Sequence, residues 1–272
     1  MPAIQLARLK KQAARLADVF HDPPAFRGAL FEVLDYYADR TRRHGQAGEP
    51  PPLRTAYNVP APVIRQIVKE LSVFAANYPE SSLSLCDYLW GQAYFEENLL
   101  AAHLLGHTRL ANPEPVLERV HNWLASKPES RLVKAILEYG LAGIRQSAPE
   151  QFVRALEGWV KGADPYQKQV GLKAMLLLID QPGFDDLNFI FRLINPLIRS
   201  SPAEIQADAI DVLRALARHT PVETAYNLRV ILDTSEGLNN AAWFIRRTLK
   251  YFPPHVQIQL RAALRENHNQ SY

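Results

Sequence analysis

Cysteine, glycine and long apolar runs are all scarce in this 272-residue sequence. The single cysteine, Cys86, excludes an internal disulfide framework and any zinc site built from several cysteines, which is typical of a reducing compartment. No apolar run reaches about 18 residues, so a transmembrane helix is not expected. The first residues, MPAIQLARLKKQAARL, form an amphipathic pattern without the apolar centre of a signal peptide. We therefore expect a soluble cytoplasmic protein.

A large excess of one charge is also missing. The sequence has 31 Lys and Arg against 28 Asp and Glu, which gives a formal net charge of +3. Nucleic-acid contact would therefore depend on local clustering of cations rather than on total charge. The sequence has no glycine-rich phosphate loop and no dinucleotide-binding fingerprint. We accordingly expect no cofactor and no metal.

The residues that could carry catalysis have simpler structural interpretations. His103 and His107 stand one helical turn apart without a further ligand at metal-binding spacing, so we expect structural or solvated histidines. Glu96 and Glu97 open a helix, where carboxylates favour the helix dipole. Cys86 lies on the apolar side of its helix and is expected to pack as a small hydrophobe.

What the sequence does contain is a repeated pair of amphipathic helices. Pro128, Pro165 and Pro202 are spaced 37 residues apart, and each precedes a segment of helical periodicity. A fourth copy follows one repeat later, with Ser235 and Glu236 in its turn, and another amphipathic helix precedes every copy. Two helices in a unit of about 36 residues are typical of a helical solenoid. The predicted fold is all-α, a HEAT-like α-α superhelix with an N-terminal helical cap.

Proline and glycine distribution suggests the domain boundaries. The segment HGQAGEPPPLRTAYNVP separates an N-terminal helical pair from the rest of the chain. We predict a helical cap over residues 1–44, a Pro/Gly-rich linker over 45–58, a HEAT-like repeat solenoid over 59–267 and a tail over 268–272. A solenoid leaves a long concave surface, which is where such proteins usually bind their partners.

The second helix of each repeat carries a polar stripe opposite its apolar side. In the last repeat, NNAAWFIRRTLKYF, a tryptophan lies among the cations, which indicates either a binding surface or core covered by the final helix. Lys and Arg neutralise phosphates and aromatic rings contact bases, so these stripes predict a DNA or RNA groove, with solvated charged faces as the alternative. The predicted nucleic-acid-binding residues are Arg131, Lys134, Tyr166, Lys173, Arg214, Trp243, Arg246, Arg247 and Lys250.

Two segments, YNVPAPVIRQIVKEL (57–71) and LWGQAYFEENLLAAHLLG (89–106), resemble the bacterial DNA alkylation repair glycosylases of the AlkD type. The resemblance covers Arg54 to about Lys250 and implies HEAT-like repeats with alkylated DNA held in a concave groove. The residues that fill the family pattern are Val59, Pro62, Arg65, Trp90 and Glu96.

The resemblance further implies groove tryptophans and an aspartate that stabilises the oxocarbenium sugar while a cationic base such as 3-methyladenine or 7-methylguanine leaves. The matching segment here has Ser130, Arg131 and Lys134, so cations stand where the family has both acids. The family also has a Trp-x-x-Arg feature on a groove helix. Because this sequence is repetitive, the feature can be aligned with it in two ways that differ by one repeat. In strict order it falls on Asp211 and Arg214; shifted by one repeat, it falls on Trp243 and Arg246. The groove acids that could take the aspartate's role are Asp208, Asp211 and Glu138.

These observations predict a DNA-binding HEAT-like protein related to the alkylation repair glycosylases, with its glycosylase activity put in question by the missing aspartates. Two alternatives stay open. One is a HEAT-type scaffold that binds a basic protein partner on the concave face through Asp208, Asp211 and Glu138. The other is an active alkylpurine DNA glycosylase with a relocated groove acid. We expect a monomer that contacts DNA and no membrane.

Overall fold

Helices joined by short turns make up the protein in a computed structural model that describes residues 5–40, 54–234 and 238–270. Within those ranges there is no β-strand, and the backbone pairs in strand fashion only at an isolated bridge between Thr55 and Tyr94. The predicted all-α class is confirmed. None of the helices in these ranges combines the length and the apolar character needed to cross a lipid bilayer.

Two compact units divide the chain, Met1–Phe152 and Val153–Tyr272. The helices of the first unit are α1 (Leu6–Asp18), α2 (Pro23–Tyr37), α3 (Ala61–Asn77), α4 (Pro79–Trp90), α5 (Phe95–His107), α6 (Glu114–Ala125), α7 (Ser130–Ala135) and α8 (Ala142–Ser147). Helix α9 (Pro149–Lys161) includes the boundary between the units. The helices of the second unit are α10 (Pro165–Ile179), α11 (Leu187–Arg199), α12 (Ala203–His219), α13 (Pro221–Leu232), α14 (Leu238–Thr248), a 3-10 turn (Leu249–Tyr251) and α15 (Pro254–Gln270).

The four-part division predicted from the sequence stays a prediction. Its helical cap corresponds to α1 and α2, while residues 41–53, which contain most of its linker, lie outside the described residues. The turn predicted at Ser235 and Glu236 also lies outside them.

Aspartate and proline define several of the helix starts. Asp22 precedes Pro23 and accepts a hydrogen bond from the Ala25 N–H at 3.1 Å. Asp164 precedes Pro165 in the same way and accepts from the Tyr166 N–H. A carboxylate at this position satisfies an N–H group that the helix leaves unpaired, and proline in the first turn loses no hydrogen bond. Of the prolines that mark the repeat in the sequence, Pro165 begins α10, Pro202 immediately precedes α12 and Pro128 lies two residues before α7.

Within each unit, helices pack against the second helix further along the chain. In the second unit α10 packs on α12 and α12 on α14, while α11 packs on α13 and α13 on α15. In the first unit α3 packs on α5 and α5 on α7, while α2 packs on α4 and α4 on α6. This is the arrangement of stacked helical pairs, in which each pair covers the apolar side of the next. The HEAT-like superhelix remains the predicted shape for such pairs.

The segment of helical periodicity that follows Pro128 is not one continuous helix. A π-helical turn, Ile136–Gly140, separates α7 from α8, although Leu132 and Val133 before it and Ile144 after it are buried. Helix α5 passes so close to this turn that a Cβ on Gly106 would collide with the carbonyl oxygen of Tyr139. A Cβ on Gly143 would lie 2.7 Å from the carbonyl oxygen of Gly106. Glycines therefore allow the backbones of the two segments to touch.

Candidate nucleic-acid interface

Polar stripes predicted on neighbouring repeats lie side by side in the second unit. Three side-chain contacts join α10 to α12, and their partners are 35 to 39 residues apart in the sequence. The spacing matches the repeat read from the prolines. The contacts are Lys173 Nζ with Asp208 Oδ1 at 2.6 Å, Gln169 Nε2 with the carbonyl of Glu204 at 2.6 Å, and His219 Nε2 with Asp180 Oδ1 at 3.1 Å.

Both candidate acids of α12 are engaged in ion pairs. Asp208, whose side chain is 16% exposed, pairs with Lys173, and Asp211 pairs with Arg214 at 2.7 Å one helical turn away. Each pair thus joins a predicted catalytic acid to a predicted nucleic-acid-binding cation. Because the charges offset one another, neither carboxylate is an isolated anion in the stripe.

Tyr251 lies at the centre of a group of cations formed by α12 and the 3-10 turn. The guanidinium groups of Arg214 and Arg218 lie 5.7 and 5.8 Å from its ring centre, and the Lys250 ammonium lies at 5.1 Å. Hydrogen bonds from Arg214 and Lys250 lower the pKa of the Tyr251 phenol below its usual 10.0. We call Arg214, Arg218, Lys250 and Tyr251 the Tyr251 cluster.

Trp243 lies on the same helical segment and is half-buried. Its ring meets the buried Phe244 edge-on with centroids 4.9 Å apart, and the Arg247 guanidinium lies 5.4 Å from its ring centre. Arg246 and Arg247 are exposed. One part of the tryptophan therefore packs against the core and another part lies beside cations. This placement has features of both predictions, a core residue and a binding-surface residue.

The other predicted residues are more dispersed. In the first unit Arg131 and Lys134 are exposed on α7, with the Arg131 guanidinium 4.3 Å from the ring centre of Phe95. Glu138 is half-buried in the π-helical turn. In the second unit Tyr166 is half-buried in the first turn of α10, where burial raises its pKa to about 12.

The segments that carry the sequence resemblance contain a buried polar network. Glu96 and Glu97 are 4% and 1% exposed. Glu96 Oε2 accepts from the Tyr57 N–H at 3.0 Å, and Glu97 Oε1 accepts from Arg27 Nε at 2.9 Å. The two carboxylates therefore do more than favour the helix dipole, because they tie α5 to α2 and to the chain before α3.

Neighbouring residues of these segments are also structural. Trp90 stacks on Trp123 with ring centroids 4.2 Å apart. Asn58 has a φ of 55°, a left-handed conformation that asparagine tolerates better than most residues. Cys86 is fully buried, and burial raises the pKa of its thiol to about 12, so the prediction that it packs as a small hydrophobe is confirmed.

His103 is a packed residue. Its ring stacks on Tyr139 with centroids 3.9 Å apart, and burial lowers its pKa from 6.5 to about 4. The imidazole is therefore neutral near pH 7. Among residues 5–40, 54–234 and 238–270, no group of three or more His, Cys, Asp and Glu residues is placed to hold a metal ion.

The sequence analysis missed Tyr251 as a member of the candidate site. It follows Lys250 directly, but a regular helix places successive residues about 100° apart, so Tyr251 did not fall on the polar stripe. The change from α14 to a 3-10 turn at Leu249 alters that spacing. Arg218 lay on the predicted stripe of α12 and could have been included on that basis.

Comparison with known proteins identifies the family of this chain. No curated protein matches it significantly. The sequence profile described as DNA alkylation repair enzyme matches residues 32–251, a range that includes every predicted nucleic-acid-binding residue and the whole Tyr251 cluster. The chain therefore belongs to the DNA alkylation repair enzyme family.

Proposed function

We propose that this member of the DNA alkylation repair enzyme family binds DNA through the Tyr251 cluster. The observation that carries the proposal is the convergence of Arg214, Arg218 and Lys250 on the ring of the half-buried Tyr251. Trp243 and Arg247 of α14 extend the same surface. A nucleic-acid groove has two components, namely cations that meet the phosphates and aromatic rings that contact sugar or base.

Charge balance supports this location over the rest of the stripe. On α10 the predicted cation Lys173 is offset by Asp208, whereas within the Tyr251 cluster Arg214 alone has an acidic partner among the described residues, Asp211. Positive charge is therefore in excess around Tyr251. DNA binding there would replace counterions on the phosphates, so affinity should fall as salt rises, with a slope of about −0.9 per phosphate neutralised.

We further propose that base excision is not the activity of this protein. Catalysis of this kind needs a carboxylate beside a developing positive charge, because the anion stabilises the transition state. Asp208 and Asp211 each already stabilise a cation of the protein, and exposed Arg131 and Lys134 stand at the positions where the sequence resemblance implies acids. The two candidate carboxylates of α12 are thus offset rather than directed at a ligand.

DNA affinity measured by fluorescence anisotropy at about 50 and about 200 mM salt tests the first proposal. Wild-type protein should bind a short duplex with a clear salt slope, and Arg218→Gln should reduce that slope by about 1. Arg119→Gln is a matched control, since this arginine belongs to the first unit and pairs with Asp87 there. Binding without a salt slope, or equal slopes for the two variants, would contradict the proposal.

Incubation with duplex DNA that contains 7-methylguanine tests the second proposal. We expect base release at the spontaneous rate and no faster. Release above that rate would show that a groove acid works despite its ion pair. Asp208→Asn and Asp211→Asn, assayed separately, would then identify the acid.

A protein-binding function is the second candidate, and one observation favours it. Val222, Tyr226 and Val230 are 58%, 71% and 44% exposed at successive turns of α13, and Ile258 on the adjacent α15 is 67% exposed. A row of apolar side chains of this kind can serve as a docking surface. Capture of a protein that is lost with Tyr226→Ser, together with unchanged DNA affinity, would favour this candidate.

A further inference from the structure

A tyrosine-rich cavity of about 390 Å³ lies in the first unit. Helices α2 and α4 and the chain before α3 and α5 form its walls. This volume falls within the range of small-molecule sites, which runs from about 300 to 1,000 Å³. The side chains that matter for its chemistry are Arg27, Phe31, Tyr57, Tyr88 and Tyr94.

The walls are suited to a flat ligand. Tyr57 and Tyr94 stack on one another with ring centroids 4.4 Å apart and an angle of 19° between the planes. Phe31 meets Tyr57 edge-on at 6.1 Å and is 49% exposed, so an aromatic ring extends this surface towards solvent. Stacking on aromatic side chains contributes about 1–3 kcal/mol per base in single-stranded nucleic-acid complexes.

The polar atoms of the cavity wall are mainly donors. Arg27 Nε donates to Glu97 Oε1 at 2.9 Å, and the Nη groups of Arg27 take no part in that contact. The Tyr57 hydroxyl is buried and has no hydrogen-bond partner among the described residues. Burial raises the pKa of Tyr57, and so does the nearby Glu97 charge, so the phenol keeps its proton and can donate. The hydroxyl is closed off from solvent, so the donors that a ligand in the cavity can meet are the Nη groups of Arg27, whose side chain is 38% exposed.

Charge decides between the possible ligand classes. The guanidinium of Arg27 is offset by Glu97, and the Glu96 carboxylate lies beside Tyr57, so the wall has no net positive charge to attract an anion. An organic cation would meet the like charge of the Arg27 guanidinium, because the Arg27 side chain is 38% exposed and that of Glu97 only 1%. A flat, uncharged group that carries acceptors satisfies both conditions.

We propose that this cavity binds a guanine base. The planar fork of an arginine matches the adjacent O6 and N7 acceptors of guanine, and tyrosine rings supply a stacking surface for its purine. Methylation at N7 removes one of these acceptors, so the cavity is specific for the unmodified base. The inference needs no duplex and no contact with the Tyr251 cluster, so it is independent of the proposed DNA groove.

Binding of mononucleotides by isothermal titration calorimetry tests this inference. dGMP should bind at least about tenfold more tightly than 7-deaza-dGMP, which differs only at the N7 acceptor. dTMP carries the same phosphate and should bind no better than 7-deaza-dGMP. Equal affinities for dGMP and dTMP would show phosphate binding and overturn the proposal, as would equal affinities for dGMP and 7-deaza-dGMP.

Variants locate the site. Arg27→Gln combined with Glu97→Gln removes both charges together, so no buried carboxylate is left without its cation, and dGMP binding should fall at least about tenfold. Tyr94→Leu should also weaken dGMP, while Arg119→Gln, another paired arginine of this unit, should leave it unchanged. Wild-type affinity in a double variant that melts as a folded protein would overturn the assignment.

The source of the base can be distinguished in the same experiment. A thymidine oligonucleotide with one central guanine presents the same group within a single strand. Binding tighter than that of dGMP identifies a strand as the source, and binding weaker than that of dGMP identifies the free nucleotide. Both results support the guanine site, because the comparison of dGMP with 7-deaza-dGMP decides whether the site exists and the oligonucleotide decides only the source of the base.

Discussion

Lys173 Nζ lies 2.6 Å from Asp208 Oδ1, and this ion pair joins helices α10 and α12 of the second unit. The lysine is a predicted nucleic-acid-binding residue and the aspartate a candidate groove acid. Their pairing explains how acidic residues can occur in a basic stripe without a catalytic role, because each carboxylate holds a neighbouring cation in place.

Asp208→Asn should strengthen DNA binding. The substitution frees the Lys173 ammonium, so affinity should rise and the salt slope should become steeper by up to about 1. The pair is partly exposed, so the loss of stability should be no more than about 1 kcal/mol. Anisotropy titrations at two salt concentrations measure the first effect and urea unfolding the second. Glu157→Gln, which releases Lys161 and Arg192 outside the predicted stripes, is the control and should leave affinity nearly unchanged. Weaker binding by Asp208→Asn would indicate that the aspartate itself contacts the ligand.

Gly106→Ala should strongly destabilise the first unit. The new Cβ would collide with the Tyr139 carbonyl oxygen, a backbone atom that cannot move away as a side chain could. We expect a cost of about 3 kcal/mol or more, measured by urea unfolding. Gly158→Ala in α9 is the matched control, because a Cβ there meets nothing within 4 Å. It should stabilise by about 0.5–1 kcal/mol. Equal unfolding midpoints for the two variants would contradict the observed helix contact.

The sequence was sufficient to predict the helical class and the repeat, and the reason is physical. Prolines recur at helix starts and apolar residues recur at helical spacing, so both signals survive in a single sequence. The contacts of Gln169 with Glu204 and of Lys173 with Asp208 follow directly from that repeat. The sequence could thus predict how many residues separate two side chains that pair between neighbouring repeats. It could not predict which side chains pair.

The features that sequence reasoning missed depend on local departures from regular helices or on distant contacts. The π-helical turn Ile136–Gly140 has no simple sequence signal, and the 3-10 turn at Leu249 brings Tyr251 into the candidate site. Arg27 and Glu97 are 70 residues apart, so no local pattern could indicate that one binds the other. Such contacts depend on how the helical pairs stack.

His103→Phe should remove part of the acid sensitivity of the protein. The folded pKa is about 4 and the ordinary value is 6.5, so the unfolded chain binds more protons between these values. The stability that neutral His103 contributes is fully present above about pH 6.5 and is lost progressively as the pH falls to about 4, by up to about 3 kcal/mol. Phenylalanine keeps the stacking on Tyr139 and does not titrate.

Urea unfolding at about pH 7 and about pH 4.5 measures this difference. The loss of stability between the two conditions should be smaller in His103→Phe than in the wild type. His121→Phe, on α6, serves as a control for the removal of a histidine elsewhere in the unit. The same loss in wild type and His103→Phe would show that His103 does not titrate as a buried group.

Trp243→Ala and Phe244→Ala should separate binding from stability. Phe244 is 1% exposed, so its removal should cost about 3–5 kcal/mol, whereas the half-buried Trp243 should cost less than half as much. If the Trp243 ring contacts DNA, its removal should weaken affinity by about tenfold. Thermal melting and anisotropy measure the two effects. A large stability loss with unchanged affinity in Trp243→Ala would identify the tryptophan as core.

Tyr251→Phe should change the response of the protein to alkaline pH. Hydrogen bonds from Arg214 and Lys250 favour the phenolate, so the folded pKa lies below 10.0 and the unfolded chain binds more protons between the two values. The stabilisation from the phenolate is therefore fully present above about pH 10 and is lost as the pH falls through the folded pKa.

The unfolding midpoint of the wild type should rise relative to that of Tyr251→Phe between about pH 7 and about pH 9.5. Tyr226→Phe, made at an exposed tyrosine on α13, controls for the loss of a tyrosine hydroxyl elsewhere in the unit. A constant difference between wild type and Tyr251→Phe across this range would mean that the cations of the cluster do not act on the phenol.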